Sequence, residues 1–316
     1  MTMTLGTGDL LYQPVEDWEK LPEGWSFVEV PGVAVDSRDQ VYLFNRGEHP
    51  VIVCDRDGNV LRTWGQGMFS DRTHGIRIGP DDSVYCVDDK MGTIQKFTPD
   101  GKLLMTIGEA FKPAPKWGGL PFNRPTQAAV SPVTGDLYIS DGYANYRIHR
   151  YSPDGSHVPS WGAPGIDAGE FVTPHNLYVD GDDLVYVCDR DNHRIQIFDA
   201  RGNLVTMWNN IHRPTCICID SEDHVIIGEL NGFENVEDCP GLGHRVGVYD
   251  KGGNLLTRFG RPEEGEGPDQ FIAPHGIDVD SRGDLYVCDV GYTIRGRYMD
   301  PPREVKTLRK FARVRQ

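Results

Sequence analysis

The sequence predicts an all-β protein, a single six-bladed β-propeller whose ring is closed by N- and C-terminal strands in one blade, and three observations predict it. One motif recurs six times, starting at Gly32, His74, Thr126, His175, Thr215 and His275. Each copy opens with a short alternating strand such as Gly276-Ile277-Asp278-Val279-Asp280, turns at a Gly/Asp/Ser cluster, and enters a second strand such as Asp284-Leu285-Tyr286-Val287-Cys288-Asp289. No helical period or linker interrupts the series. The best preserved copies add a third strand, Thr93–Phe97 or Arg194–Phe198, a turn such as Pro99-Asp100-Gly101, and a fourth strand ending in Trp-Gly or Phe-Gly. Four short strands per unit is a propeller blade. In the fifth copy the stretch from Leu230 to His244 reads as a long face loop. The sixth copy finds its third strand only in the tail, and its fourth is expected from Trp25–Val30, so that both ends of the chain close one sheet. Residues 1–23 are then an N-terminal extension and 24–316 the propeller domain.

Composition bounds the function. The chain has 316 residues, 38% hydrophobic and 25% charged, with a mean hydropathy of -0.45 and no apolar run of membrane-spanning length. Against 47 Asp+Glu stand 32 Lys+Arg, a net charge of -15 that repels phosphate backbones and anionic lipid surfaces. Neither nucleic acid nor a membrane is an expected partner. The basic tail from Arg303 to Arg315 alternates like a strand rather than a binding arm. Seven cysteines without a secretion signal fit a reducing cytoplasm, with Cys86, Cys188 and Cys288 placed like small core residues. The Cys216-Ile217-Cys218 pair is too close and too isolated for a zinc knuckle.

The first strand of each blade lines the central channel, so its opening residues form a ring. Histidine occupies alternate positions of that ring, His74, His175 and His275, while Gly32, Thr126 and Thr215 stand between them. Imidazoles from every second blade converge from three equal directions, and their small neighbours leave a coordination position open, which is the pattern of a catalytic metal. Zinc suits neutral imidazoles and near-tetrahedral geometry; iron, cobalt, nickel and copper are chemically compatible. His49, His149, His157, His193, His212, His224 and His244 lack this register. A second ring forms where the second strands end. There Arg46 and Arg190 hold the same position in blades one and four, either as a receptor for a substrate carboxylate or as partners of neighbouring acids such as Glu48, Asp189 and Asp191. Blade three extends this level through Asp141-Gly142-Tyr143-Ala144-Asn145, which offers Tyr143 as a general base beside a cationic centre.

The Pro-x-Gly-hydrophobic blade starts and the stretch Asp189-Arg190-Asp191-Asn192-His193-Arg194-Ile195 resemble the NHL repeat over roughly residues 24 to 314. Phe44-Asn45-Arg46-Gly47-Glu48-His49, Thr73-His74-Gly75-Ile76, Ser140 to Ile148, Pro174-His175-Asn176-Leu177 and Cys188 to Asn192 together resemble peptidyl-α-hydroxyglycine α-amidating lyase. That resemblance implies zinc on His74, His175 and His275, Tyr143 as base, Arg46 as its partner and Arg190 as a second active-site arginine. It also implies calcium on the backbone carbonyls of Val33 and Ile76 and on a carboxylate after the third histidine. Gly276 stands at that carboxylate position, and without the charged ligand calcium should bind poorly. The cysteine that follows the family's tyrosine is here Ala144.

The expected function is therefore a metal-dependent lyase cleaving the C–N bond of a small, carboxylate-bearing α-hydroxy amide or ureido compound to an amide and a glyoxylate-like carbonyl. Two other readings stay open on sequence: a zinc hydrolase of an ester, lactone or amide, and a non-catalytic NHL scaffold for a macromolecular partner.

Overall fold

The computed structural model describes residues 3–232 and 242–315, so the centre of the expected Leu230–His244 loop, with Cys239, lies outside the described residues. Six antiparallel sheets follow one another along the chain, and the protein is a six-bladed β-propeller with almost no helix. Blade four is representative: Pro174–Val179, Val185–Asp189, Arg194–Phe198 and Leu204–Trp208 pair in sequence order. The second strands are continuous apolar runs with both faces buried, as in Val41–Phe44 and Val185–Asp189, because each blade is covered by a neighbour on either side. Fourth strands such as Leu103–Ile107 are largely exposed.

The chain groups into two compact units, residues 64–214 and residues 1–63 with 215–316. Within the first, Val87, Ile94, Phe122, Ile139 and Tyr151 form the core between blades two and three. Tyr138, Phe171, Leu177, Val187 and Phe198 do the same between blades three and four. Within the second, Val33, Leu43, Ile52, Tyr286 and Leu308 join blades one and six.

One device recurs at the first turn of a blade. Asp36 Oδ1 accepts from the backbone N–H groups of Arg38 and Gln40, Asp180 from those of Asp182 and Leu184, and Asp280 from those of Arg282 and Asp284, at 2.8–3.1 Å. The other oxygen of each accepts 3.2 Å from the hydroxyl of the second-strand tyrosine, Tyr42, Tyr186 or Tyr286. The aspartate and the tyrosine of the repeat are thus one structural pair. Burial, with Asp36 beside it, pushes the Tyr42 hydroxyl up to about 12. Burial raises Tyr286 as well, so both phenols serve as donors and not acids.

Closure uses both chain ends, but a different N-terminal segment from the one expected. Leu10–Val15 pairs antiparallel with Leu308–Val314, from Leu11 opposite Val314 to Val15 opposite Lys310, and Leu5–Thr7 adds a fifth strand outside it. Tyr12 is buried there, its ring 5.4 Å from Phe259. Trp25–Val30 is not a strand. Its backbone turns at Pro22–Trp25, and the Val30 N–H is taken by the Thr307 hydroxyl at 2.9 Å, which leaves no ladder to continue. Between the second and third strands of blade six lie the short helix Gly291–Ile294 and the 3-10 turn Gly296–Tyr298. Among the described residues no helix is long and apolar enough to cross a membrane.

Candidate active site

The three ring histidines share a local construction. Where the first strand begins, pairing with the second strand slips between Thr73 and Ile76, between Pro174 and Asn176, and between Pro274 and Gly276. The strands after Gly32 and Thr126 pair without such a slip. Each histidine therefore sits on a bulge, which re-aims its side chain away from the ordinary alternation. All three are buried.

In residues 64–214, His74 Nδ1 lies 2.6 Å from the Thr126 carbonyl. A carbonyl only accepts, so Nδ1 carries the proton and Nε2 presents its lone pair. In the other unit His275 repeats the arrangement, with Nδ1 2.7 Å from the Pro31 carbonyl. A histidine protonated on Nδ1, with its lone pair on Nε2, is in the ligand form. The small ring residues serve the frame: the hydroxyl of Thr126 donates to the Pro174 carbonyl at 3.1 Å and that of Thr215 to the Pro274 carbonyl at 2.6 Å.

Tyr143 meets two of the histidines. Its hydroxyl oxygen is 2.9 Å from His74 Nε2 and 3.0 Å from His175 Nε2, and the two imidazoles lie 5.0 Å apart at 61°. One phenolic proton can serve only one of these nitrogens. The donor set therefore fits a cation: buried imidazole lone pairs and a phenol oxygen face one another. Asp141 anchors the tyrosine's loop, accepting from the Asn123 backbone N–H at 3.0 Å and from Asn145 Nδ2 at 2.6 Å. Gly142 is required here, because a Cβ would lie 2.3 Å from the Pro174 carbonyl oxygen.

Two arginine systems flank the Tyr143 ring within the same unit. Arg190, in the turn Arg190–Asn192, lies 5.7 Å from the ring centroid and forks onto Asp191, which also receives Nε and an η nitrogen of Arg213 at 3.2 and 3.1 Å. Burial opposes its charge, yet Tyr143 and Asp191 together raise the Arg190 pKa above its ordinary value. Burial likewise opposes ionisation of Asp191, and Arg190 overcomes it, holding the carboxyl below the usual range. The Arg124 guanidinium is 4.6 Å from the same centroid and bonds to Asp89, which Arg72 also grips.

Arg46 belongs to the other unit. It is buried and donates to Glu29 and to the Thr293 hydroxyl, while Thr293 closes the triangle by donating N–H and O–H to Glu29 at 2.6 and 2.7 Å. Glu29, Thr293, Asp191, Arg213, Arg72, Asp89 and Arg124 extend the set beyond the residues singled out from sequence as catalytic. Arg72, Arg124 and Arg213 stand two residues before His74, Thr126 and Thr215, a register position that could have been read.

The residues proposed for calcium do not fit it. At Gly276 a Cβ would lie 2.9 Å from both the Gly32 Cα and the Pro31 oxygen, so the site holds neither a carboxylate nor room for one. The Ile76 carbonyl faces the Gln127 amide nitrogen at 3.5 Å, a neutral donor where a cation would need to approach.

Residues 171–198, most of blade four, match the family model described as NHL repeat. The chain is 33% identical to human NHL repeat-containing protein 3 over 307 residues, covering 90% of this chain and 83% of that protein. It is 34% identical over 192 residues to peptidyl-alpha-hydroxyglycine alpha-amidating lyase 1 of Drosophila melanogaster, covering 55% of this chain and 35% of the relative. With rat peptidylglycine alpha-amidating monooxygenase it shares 30% identity over 233 residues, 59% of this chain and only 24% of that larger protein. Among solved structures, a putative gluconolactonase superposes with a TM-score of 0.62 at 13% identity, over 98% of this chain and 97% of the other. That likeness concerns the fold alone. At 33% identity across most of both proteins, the chain belongs to the NHL-repeat family that includes NHL repeat-containing protein 3.

Proposed function

We propose that this protein is a metal-dependent carbon–nitrogen lyase that splits a small, carboxylate-bearing α-hydroxy amide or ureido compound into an amide and glyoxylate. The single observation that carries the reading is the Tyr143 hydroxyl set against two buried imidazole nitrogens, at 2.9 and 3.0 Å. Similarity to amidating lyases supports the reaction class. His74, His175 and His275 would hold the metal, and zinc suits their neutral nitrogens. Bound there, the ion supplies Lewis-acid charge to substrate oxygens.

The chain's own residues do the rest. With its own phenolic proton already lost, the Tyr143 oxygen takes the proton of the substrate hydroxyl as the C–O bond gains double-bond character and the C–N pair leaves with nitrogen. The proton returns from Tyr143 to that nitrogen, so substrate divides into amide and aldehyde with no water consumed. Arg190, oriented by Asp191, receives the α-carboxylate through its planar fork. Arg46, held by Glu29 and Thr293, supplies a second fixed guanidinium. Six buried cysteines among the described residues support a reducing, cytoplasmic setting.

The test is glyoxylate release from N-acyl-α-hydroxyglycines. Tyr143→Phe should lower kcat by about 10²–10⁴-fold and keep the metal content of the wild type. Wild-type-like turnover in that variant would remove Tyr143 from the reaction. Oxygen-labelled water adds a check, since lysis leaves the amide product unlabelled.

A further inference from the structure

We propose that His149 is a positioning residue of the Tyr143 loop: acting through Asp141, it tightens that loop when it carries an added proton, which reaches it from solvent along His157 and Ser160. The consequence for catalysis rests on the lyase reading; the relay itself does not. Asp141 ends the second strand of blade three, Leu137–Asp141, and its side chain has no exposed surface. It holds the loop by accepting from the Asn123 backbone N–H at 3.0 Å and from Asn145 Nδ2 at 2.6 Å, while its carbonyl accepts the Tyr146 N–H at 2.9 Å. The equivalent acids of blades four, five and six, Asp189, Glu229 and Asp289, each pair with an arginine, Arg194, Arg245 or Arg309. Arg147 stands opposite Asp141 as Arg194 stands opposite Asp189, yet makes no ion pair with it. Asp141 bonds instead to His149 Nε2 at 3.2 Å. A permanent cation is replaced by a group that titrates.

The fourth strand of the blade, His157–Trp161, completes the path. Its pairing with the third strand slips opposite the buried His149, where Pro159 and Ser160 together face one residue, and Ser160 Oγ lies 3.0 Å from His149 Nδ1. The same oxygen lies 2.8 Å from Nε2 of His157, which is exposed. The chemistry of the donors gives the chain a direction. A carboxylate only accepts, so His149 Nε2 carries a proton; in the neutral imidazole Nδ1 then takes the Ser160 O–H, and the serine oxygen takes the His157 Nε2–H. A proton added at His157 Nδ1 reverses this order. The Nε2 proton of His157 passes to Ser160, the serine proton passes to His149 Nδ1, and His157 is left neutral with its proton on Nδ1. One proton has entered, and its charge now sits beside Asp141 as a buried ion pair. Burial, then His149 and Arg147, hold the His157 pKa below its ordinary value, so the outer imidazole hands its proton inward. The remaining groups around the two rings do not compete. Phe122 lies 5.4 Å from His149, and Arg150 turns to Asp136. Tyr151, 5.3 Å from His157, is pushed up to about 12 by burial, with Asp141 adding to it.

The experiment follows backbone hydrogen exchange of Asn123 and residues 141–147 in the purified protein, relative to Val185–Asp189 and corrected for the intrinsic pH dependence of exchange. Protection of the loop should be at least about fivefold greater at about pH 5.5 than at about pH 8, as for a modest coupling between two sites. His149→Gln keeps a donor toward Asp141, as Gln196 Nε2 donates to Asp189 at 3.1 Å, and removes the titration. In that variant protection should be level across the range. Protection that is level in the wild type, or that still varies with pH in His149→Gln, would overturn the proposal. Glyoxylate release from N-acetyl-α-hydroxyglycine gives the catalytic arm: the pH profile of kcat should lose one ionisation in His149→Gln, and superimposable profiles overturn the positioning role. If no glyoxylate is released the lyase reading fails, and exchange alone decides the relay.

Discussion

Tyr143 faces two nitrogens with one proton to give, and the rest of the site follows from that shortage. Both Nδ1 positions that rest on carbonyls, in His74 and His275, fix the tautomer that leaves the lone pair on Nε2. Asp191 makes a second test at this scale. Its folded-state pKa is lowered, so the stabilisation it gives Arg190 and Arg213 is present above the unfolded carboxylate value of about 4 and is lost as pH falls through the lowered value. The urea midpoint of Asp191→Asn should lie below that of the wild type by a constant margin from about pH 5 to 7, and the margin should shrink only below about pH 4. A margin that closes between pH 5 and 7 would contradict the assignment. The histidines stand out in the sequence because they share one repeat register, whereas Tyr143 stands in a loop extension of blade three and took its role from the family resemblance. Glu29 was not legible: it lies outside any strand, and only the folded chain brings it to Arg46 and Thr293.

At the scale of elements, bulges and turns carry the information. The pairing slips at each histidine, at the head of its strand, and no sequence pattern announces it. The turn aspartates were legible as punctuation, but their bond to the second-strand tyrosine was not, since it joins residues six apart across a hairpin. Asp280→Ala removes two backbone acceptances, the Tyr286 contact and an ion pair with Arg56 at 3.1 Å, so it should cost about 2–3 kcal/mol and lower Tm by about 5 °C or more. Calorimetry checks it, and a shift under about 1 °C would show the device to be dispensable. The closing strand escaped sequence reasoning because Leu10–Val15 is short, contains Pro14 and precedes the first recognisable repeat. Its signal was the alternation of Leu10 and Tyr12 facing inward. Deleting residues 1–15 should expose Leu308–Val314 as a bare edge, giving concentration-dependent aggregation that light scattering detects. A truncated chain as soluble as the full one would refute that role.

For the molecule as a whole, six repeats read from sequence gave the architecture, whereas its departures from symmetry are what the chemistry uses. Histidine at alternate ring positions, one extended loop with Tyr143, and two arginine pairs break the repetition. Crowding at Gly276 separates this chain from a calcium-dependent design, so added calcium should leave Tm unchanged. The central claim is that three imidazoles hold one ion. Elemental analysis of the purified wild type and of His175→Ala tests it most directly: about one equivalent of a divalent transition metal per chain is expected in the first and a large loss in the second, with the fold intact. A wild type that is metal-free and releases glyoxylate at full rate, or a variant that keeps its metal, would contradict it.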